Sequence, residues 1–176
     1  PLILQRDFKI PKDCYVGDLY AIVAENLGEG FVHLYEKIIK GEPFKMQKQL
    51  KEGYSHRSKR SPSDGLIHFD KTATEIERLI RAVSHPYPGA YCYYKDQQIT
   101  FWRARVNEDL PYSGTTAQIL KKSKDGILVQ CGEGSIWLEE PTDNEKKPIE
   151  MKYFKLGDRL GYQIQDEIFL LRQKLK

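Results

Sequence analysis

The chain has 176 residues, enough for one compact domain or two small ones, with 40% apolar and 30% charged side chains and a formal net charge of +3. No apolar run approaches the roughly 20 residues that cross a bilayer, and the apolar start, Leu2-Ile3-Leu4, is too short for a secretory signal. The reading is therefore a cytoplasmic protein without a membrane span. Cys14, Cys92 and Cys131 are odd in number and lie far apart without metal-ligand spacing, as free thiols in a reducing compartment do.

Residues 2–10 read as a strand stopped by Pro11, with Asp13 as the cap of the next helix. Val16, Leu19, Tyr20, Val23 and Leu27 recur at helical spacing, and Phe31, Leu34 and Ile38 continue the stripe past Gly28 and Gly30, where a kink is expected. Gly41 and Pro43 end the helix. A strand and a long amphipathic helix look like the end of a larger α/β domain. An uncovered stripe of Val16, Leu19, Val23 and Leu27 would favour pairing of two copies as a homodimer.

The stretch from Lys45 to Arg60 lacks periodicity and carries six basic side chains against one acidic, so it reads as a basic linker suited to a phosphate-bearing ligand. Asp64-Gly65 makes a turn. Thr72-Ala73-Thr74-Glu75 fits a capping box, and the helix that it opens buries Ile76, Leu79, Ile80 and Val83. Pro86 and Pro88 stop that helix near Ser84-His85.

After Gly89 come short aromatic or β-branched runs: Ala90 to Tyr94, Ile99 to Trp102, Thr115 to Leu120, Ile127 to Cys131 and Ser135 to Leu138. Asp125-Gly126 and Gly132-Glu133-Gly134 are hairpin turns. The expectation is a closed or nearly closed antiparallel barrel of five or six strands, with the capped helix packed on it. Ile164, Ile168, Leu171 and Leu175 space a closing helix.

No residue set here amounts to a catalytic constellation. His33, His56, His68 and His85 are not spaced as metal ligands. Neither a phosphate-cradling glycine loop nor a nucleophile elbow is present. Glu139-Glu140 is a carboxylate pair, but adjacent strand residues point to opposite faces.

Several segments in fixed order carry a resemblance: Arg60-Ser61-Pro62-Ser63-Asp64-Gly65-Leu66-Ile67, Ile76-Glu77-Arg78-Leu79-Ile80-Arg81-Ala82-Val83, His85-Pro86-Tyr87-Pro88-Gly89-Ala90-Tyr91 and Phe101-Trp102-Arg103-Ala104-Arg105-Val106. Asp125-Gly126-Ile127, Cys131-Gly132-Glu133-Gly134 and Gly157-Asp158-Arg159-Leu160-Gly161 extend it. Together they resemble the junction and C-terminal domain of 10-formyltetrahydrofolate-dependent formyltransferases. The resemblance implies an α+β fold: residues 1–44 as the end of a Rossmann-like catalytic domain, 45–71 as a basic linker, and 72–176 as a helix plus an OB-like barrel.

The family's chemistry is attack by an amine on the formyl carbon of 10-formyltetrahydrofolate, with an Asn, a His and an Asp as catalytic residues. Its Asn-x-His arrangement does not occur here. By the match, Pro1-Leu2-Ile3-Leu4-Gln5 follows the family's Asp-x-Gly, so the catalytic residues and the folate site are expected outside this chain and the chain alone is expected to be inactive. The acceptor is a nucleotide-linked amino sugar in one branch and methionyl-tRNA in another. The Arg-Ser-Pro-Ser-Asp-Gly and His-Pro-Tyr-Pro-Gly-Ala segments resemble the sugar branch, while Tyr54-Ser55-His56-Arg57 departs from the tRNA branch. A non-catalytic binding or dimerisation module is a further alternative. Tyr54, Arg57, Arg60, Asp64, His85 and Tyr87 are the candidate substrate contacts. Tyr87 and its flanking prolines also suit a purely structural role at the helix end.

Overall fold

The computed structural model describes residues 1–49, 52–108 and 112–175, and the chain divides into two units, Pro1–Arg60 and Ser61–Lys176. No helix among the described residues is long and apolar enough to cross a membrane.

The first unit is built on α1 (Val16–Ile39). Its start is held by Asp18, whose carboxylate accepts the Tyr15 N–H at 3.0 Å. Asp18, not Asp13, therefore performs the expected capping. The helix runs unbroken through Gly28 and Gly30. Gly30 packs closely on the preceding segment: a Cβ there would come within 3.1 Å of Leu4 Cδ2. The preceding segment lies along the helix, and Arg6 Nη1 donates to Glu29 Oε2 at 2.8 Å and to the Asn26 carbonyl at 3.2 Å. The expected strand over residues 2–10 is reduced to one antiparallel bridge, Leu2 with Gln47. A strand needs a neighbour along its length, and the described residues offer it none beyond that bridge. Val16, Leu19 and Val23 are half-buried, whereas Leu27, Phe31 and Ile38 are 68%, 70% and 60% exposed.

The second unit opens with a short turn of 3-10 helix, Pro62–Gly65, followed by α2 (Ala73–Val83). The capping box forms as the sequence predicts: the Glu75 N–H donates to Thr72 Oγ1 at 3.2 Å, and the Thr72 N–H donates to Glu75 Oε2 at 3.0 Å. Helical spacing then puts Ile76, Ile80 and Val83 on one buried face.

Five strands follow: β1 (Ala90–Tyr94), β2 (Gln97–Val106), β3 (Ile119–Lys122), β4 (Gly126–Gln130) and β5 (Ser135–Thr142). All pair antiparallel in the order β1-β2-β5-β4-β3. Alternation in β1 sends Ala90, Cys92 and Tyr94 inward. They join Ile99, Phe101, Ile127, Ile136, Leu138 and Phe154 beneath α2 in one apolar core. Burying each of the Ile, Leu and Phe side chains fully contributes roughly 1.5–3 kcal/mol.

Strand spacing predicts a closed or nearly closed barrel of five or six strands; the five strands form an antiparallel sheet that strand pairing leaves open. Its outer strands, β1 and β3, do not pair with each other. A non-strand segment spans both edges instead. The Ile119 N–H donates to the Asp158 carbonyl at 2.9 Å, the Leu160 N–H to Ala117 O at 3.0 Å, and the Gly161 N–H to Tyr93 O at 2.7 Å. Helix α3 (Ile164–Lys174) forms where expected but closes nothing: Ile164, Ile168, Leu171 and Leu175 are all exposed. The architecture is α+β, an antiparallel sheet covered by a helix.

Candidate functional site

The candidate contacts fall into both units. Tyr54, Arg57 and Arg60 belong to the first. The Tyr54 ring meets His56 edge-on at 5.0 Å. Arg57 and Arg60 are exposed, and neither has an ion-pair partner among the described residues. Lys51, part of the same basic stretch, lies outside the described residues.

Asp64, His85 and Tyr87 belong to the second unit. The Asp64 carboxylate accepts the Ser61 N–H at 2.6 Å and the Ser61 hydroxyl at 3.2 Å, so it builds the Pro62–Gly65 turn. That turn sits hard against the helix-terminating segment: a Cβ on Gly65 would lie 2.6 Å from the Gly89 carbonyl oxygen. The Pro-Ser-Asp-Gly and Pro-Tyr-Pro-Gly motifs, 20 residues apart in sequence, are thereby brought together. Tyr87 is 43% exposed, and its N–H donates to the Ser84 carbonyl at 2.9 Å.

His85 follows the last residues of α2 and precedes a cis peptide to Pro86. Its imidazole lies flat on the Trp102 indole, with ring centroids 3.8 Å apart and planes 7° from parallel. Two hydrogen bonds hold Trp102, one through its indole and one through its backbone. The indole Nε1–H donates to Thr142 Oγ1 at 3.0 Å, and Ser84 Oγ–H donates to the Trp102 backbone carbonyl at 3.2 Å. The stack borders a surface pocket of about 370 Å³ that Glu140 and Lys146 also line. Trp102, Glu140 and Lys146 are absent from the sequence-predicted contacts. Only the alternation along Ser135 to Leu138, continued to residue 140, carried a signal: it separates Glu139 from Glu140. Glu139 turns to Arg105, whose Nε donates to it at 2.9 Å.

A second pocket, about 310 Å³, lies where β1 meets the edge-spanning segment. Tyr93 and Tyr162 stack there at 4.8 Å. Beside them the Tyr94 hydroxyl donates to Asp158 Oδ2 at 2.6 Å and accepts the Lys155 N–H at 3.1 Å. Burial and the bond to Asp158 push the Tyr94 phenol up to about 12. Cys131 is pushed up to about 12, and Cys92 higher still, in both cases by burial, so neither is a ready thiolate. Among the described residues no group of His, Cys, Asp or Glu is arranged to hold a metal.

Comparison with known proteins matches residues 59–159 to the family model "Formyl transferase, C-terminal domain". A methionyl-tRNA formyltransferase from Acetivibrio thermocellus is 26% identical over 160 residues, covering 91% of this chain and 51% of that protein. The chain thus spans about half the length of the curated relative it matches. HypX from Aquifex aeolicus, in complex with tetrahydrofolic acid, superposes with a TM-score of 0.61 at 13% identity, over 87% of this chain and 30% of HypX. A multiply substituted HypX variant gives 0.62 at 16% identity, over 87% and 31%. Those structures share the fold. The matched segment runs from the basic stretch through α2 and the whole sheet to the edge-spanning segment, and on that match the chain belongs to the formyltransferase family as a C-terminal domain.

Proposed function

We propose that this chain is the C-terminal portion of an enzyme that moves a formyl group from 10-formyltetrahydrofolate to the amine of a nucleotide-linked amino sugar. The observation that carries the reading is charge. In the unit Ser61–Lys176, residues 61–89 hold three basic and four acidic side chains and residues 90–176 hold fourteen and thirteen, which leaves the unit neutral. Gripping tRNA means neutralising several phosphates, and this unit has no excess charge to do so. Some of its cations are also engaged locally, as in Arg81 with Glu77, Arg105 with Glu139 and Lys152 with Glu150. A nucleoside diphosphate needs only one or two cations, and Arg57 and Arg60 are available.

The formyl donor is assigned to the part of the enzyme that carries the catalytic Asn, His and Asp. The described surface pockets, about 370 and 310 Å³, are small for a ligand as long as a folate. The exposed Leu27, Phe31 and Ile38 on α1 are the face that the catalytic domain would cover.

Methionyl-tRNA is the second reading, favoured by the Acetivibrio thermocellus relative. The deciding assay gives the full-length enzyme both acceptors with one donor. Formylation of a UDP- or dTDP-linked amino sugar is expected. Efficient formylation of methionyl-tRNA with none of the amino sugars would reverse the assignment. In the same enzyme, Arg57→Ala or Arg60→Ala should raise KM for the nucleotide sugar through a lost charge-assisted hydrogen bond of roughly 1.5–3 kcal/mol. The chain alone should show no turnover.

A further inference from the structure

Glu140 stands out by its backbone. Lys95 and Asp96 have positive φ because they form the β1–β2 hairpin, Ala117 because it lies in the Thr115–Gln118 turn, and Lys146 because it lies in the turn between Asp143 and Lys147. Glu140, at φ 53, lies inside β5 with no turn to account for it. A left-handed residue within a strand persists only where its surroundings enforce it, and such residues cluster at ligand sites. Here its position is the rim of the His85–Trp102 pocket. No hydrogen bond or ion pair among the described residues engages the Glu140 carboxylate, the Lys146 ammonium or the His85 ring nitrogens.

The pocket has the parts of a site for a flat heterocycle. One face of the His85 imidazole is covered by the indole, while the residue as a whole is exposed, leaving its other face open. The indole beneath is 5% exposed and tied down by Thr142, so the platform is rigid. A second flat ring laid on His85 would continue the stack. At the rim, a carboxylate accepts hydrogen bonds and an ammonium donates them. The pairing edge of a nucleobase offers the matching set, an N–H donor beside a ring-nitrogen or carbonyl acceptor. Pro141 and Pro148 add apolar wall, and about 370 Å³ accommodates one such ring with its ribose.

We propose that the His85–Trp102 stack, with Glu140 and Lys146 at its rim, is a binding site for the base of a nucleotide. It rests on the amino-sugar reading for which nucleotide is bound, namely a uridine or thymidine diphosphate sugar. The binding itself needs only the second unit's own residues.

The test titrates the whole chain with uridine monophosphate and with ribose 5-phosphate, following the indole N–H and imidazole signals by NMR. Uridine monophosphate should shift the Trp102 Nε1–H signal, and ribose 5-phosphate should bind at least about tenfold more weakly, because stacking is lost. His85→Ala and Glu140→Ala should each weaken uridine monophosphate about tenfold. His85→Phe, which keeps a flat ring, should retain most of the binding and so separates stacking from collapse of the pocket. Equal binding of the two ligands would overturn the proposal. So would unchanged binding in His85→Ala, or binding of a CCA trinucleotide without any of uridine monophosphate. Base binding here combined with formylation of methionyl-tRNA alone would leave the site standing and remove the amino-sugar reading. Formylation of an amino sugar without base binding here would do the reverse.

Discussion

Tyr94 shows how one side chain can hold the second unit shut. It points inward from β1, and its hydroxyl reaches Asp158 and the Lys155 amide in the segment that spans the sheet edges. Tyr94→Phe should cost about 2 kcal/mol in a denaturant titration, since one of the lost bonds is to a carboxylate. Its raised pKa also sets a pH window. The phenol ionises at about 10 when unfolded and at about 12 when folded, so its contribution is complete below pH 10 and is lost as pH rises toward 12. Tyr94→Phe should flatten the alkaline fall in stability, which a melting series between those values would read. Cysteines give a second residue-scale expectation. Cys92 and Cys131 are buried and Cys14 is only half-buried. Iodoacetamide should therefore alkylate native protein once, at Cys14, and all three thiols in denaturant, as counted by mass. None of the Tyr94 chemistry was legible beforehand, because Tyr94 and Asp158 are 64 residues apart and no local pattern links them.

Among the elements, α2 was read in full because its determinants are local: a cap, a period and a proline stop. Thr72→Ala should destabilise the unit by about 1 kcal/mol. Thr72 also holds the Glu75 carboxyl below its ordinary value through the backbone and side-chain hydrogen bonds. That contribution is present above the ordinary carboxylate range and disappears as acid protonates the folded group, so Thr72→Ala should cost less at low pH than at neutral pH. Ile80→Ala, at a fully buried position, should cost roughly 2–5 kcal/mol by opening a cavity. Strands were legible as runs, but their ends were not. β2 extends to Val106 because β5 pairs with it there, a long-range cause invisible in its own residues. The Lys95–Asp96 hairpin was missed because it reaches positive φ without Gly or Asn. Of the candidate contacts, His85 could be singled out by its prolines. Trp102 and Glu140 could not be joined to it, because they sit on different strands that only the sheet brings together.

On the scale of the whole molecule, the two units differ in what supports them. The described residues 45–49 and 52–60 carry exposed Lys48, Arg57, Lys59 and Arg60 outside any helix, whereas the residues after Ser61 enter a packed core. Limited trypsin digestion should cut within this stretch and leave a resistant fragment beginning near Ser61, identifiable by N-terminal sequencing. Protection of the stretch with cleavage inside the sheet would refute that division. The core itself was foreseeable from composition and alternation, but the open sheet was not, since the segment that fastens its edges has no strand pattern of its own. That segment has another consequence. The chain comes into the unit beside Tyr91, whose carbonyl accepts the Ile67 N–H, and goes out beside Tyr93, whose carbonyl accepts the Gly161 N–H. Inlet and outlet are two residues apart on one strand, like both leads of a plug. A domain wired this way can be spliced into a longer polypeptide without forcing its flanks apart, and a short linker joining residues 61 and 162 should permit a circular permutant opened at the Ser123–Asp125 turn to fold.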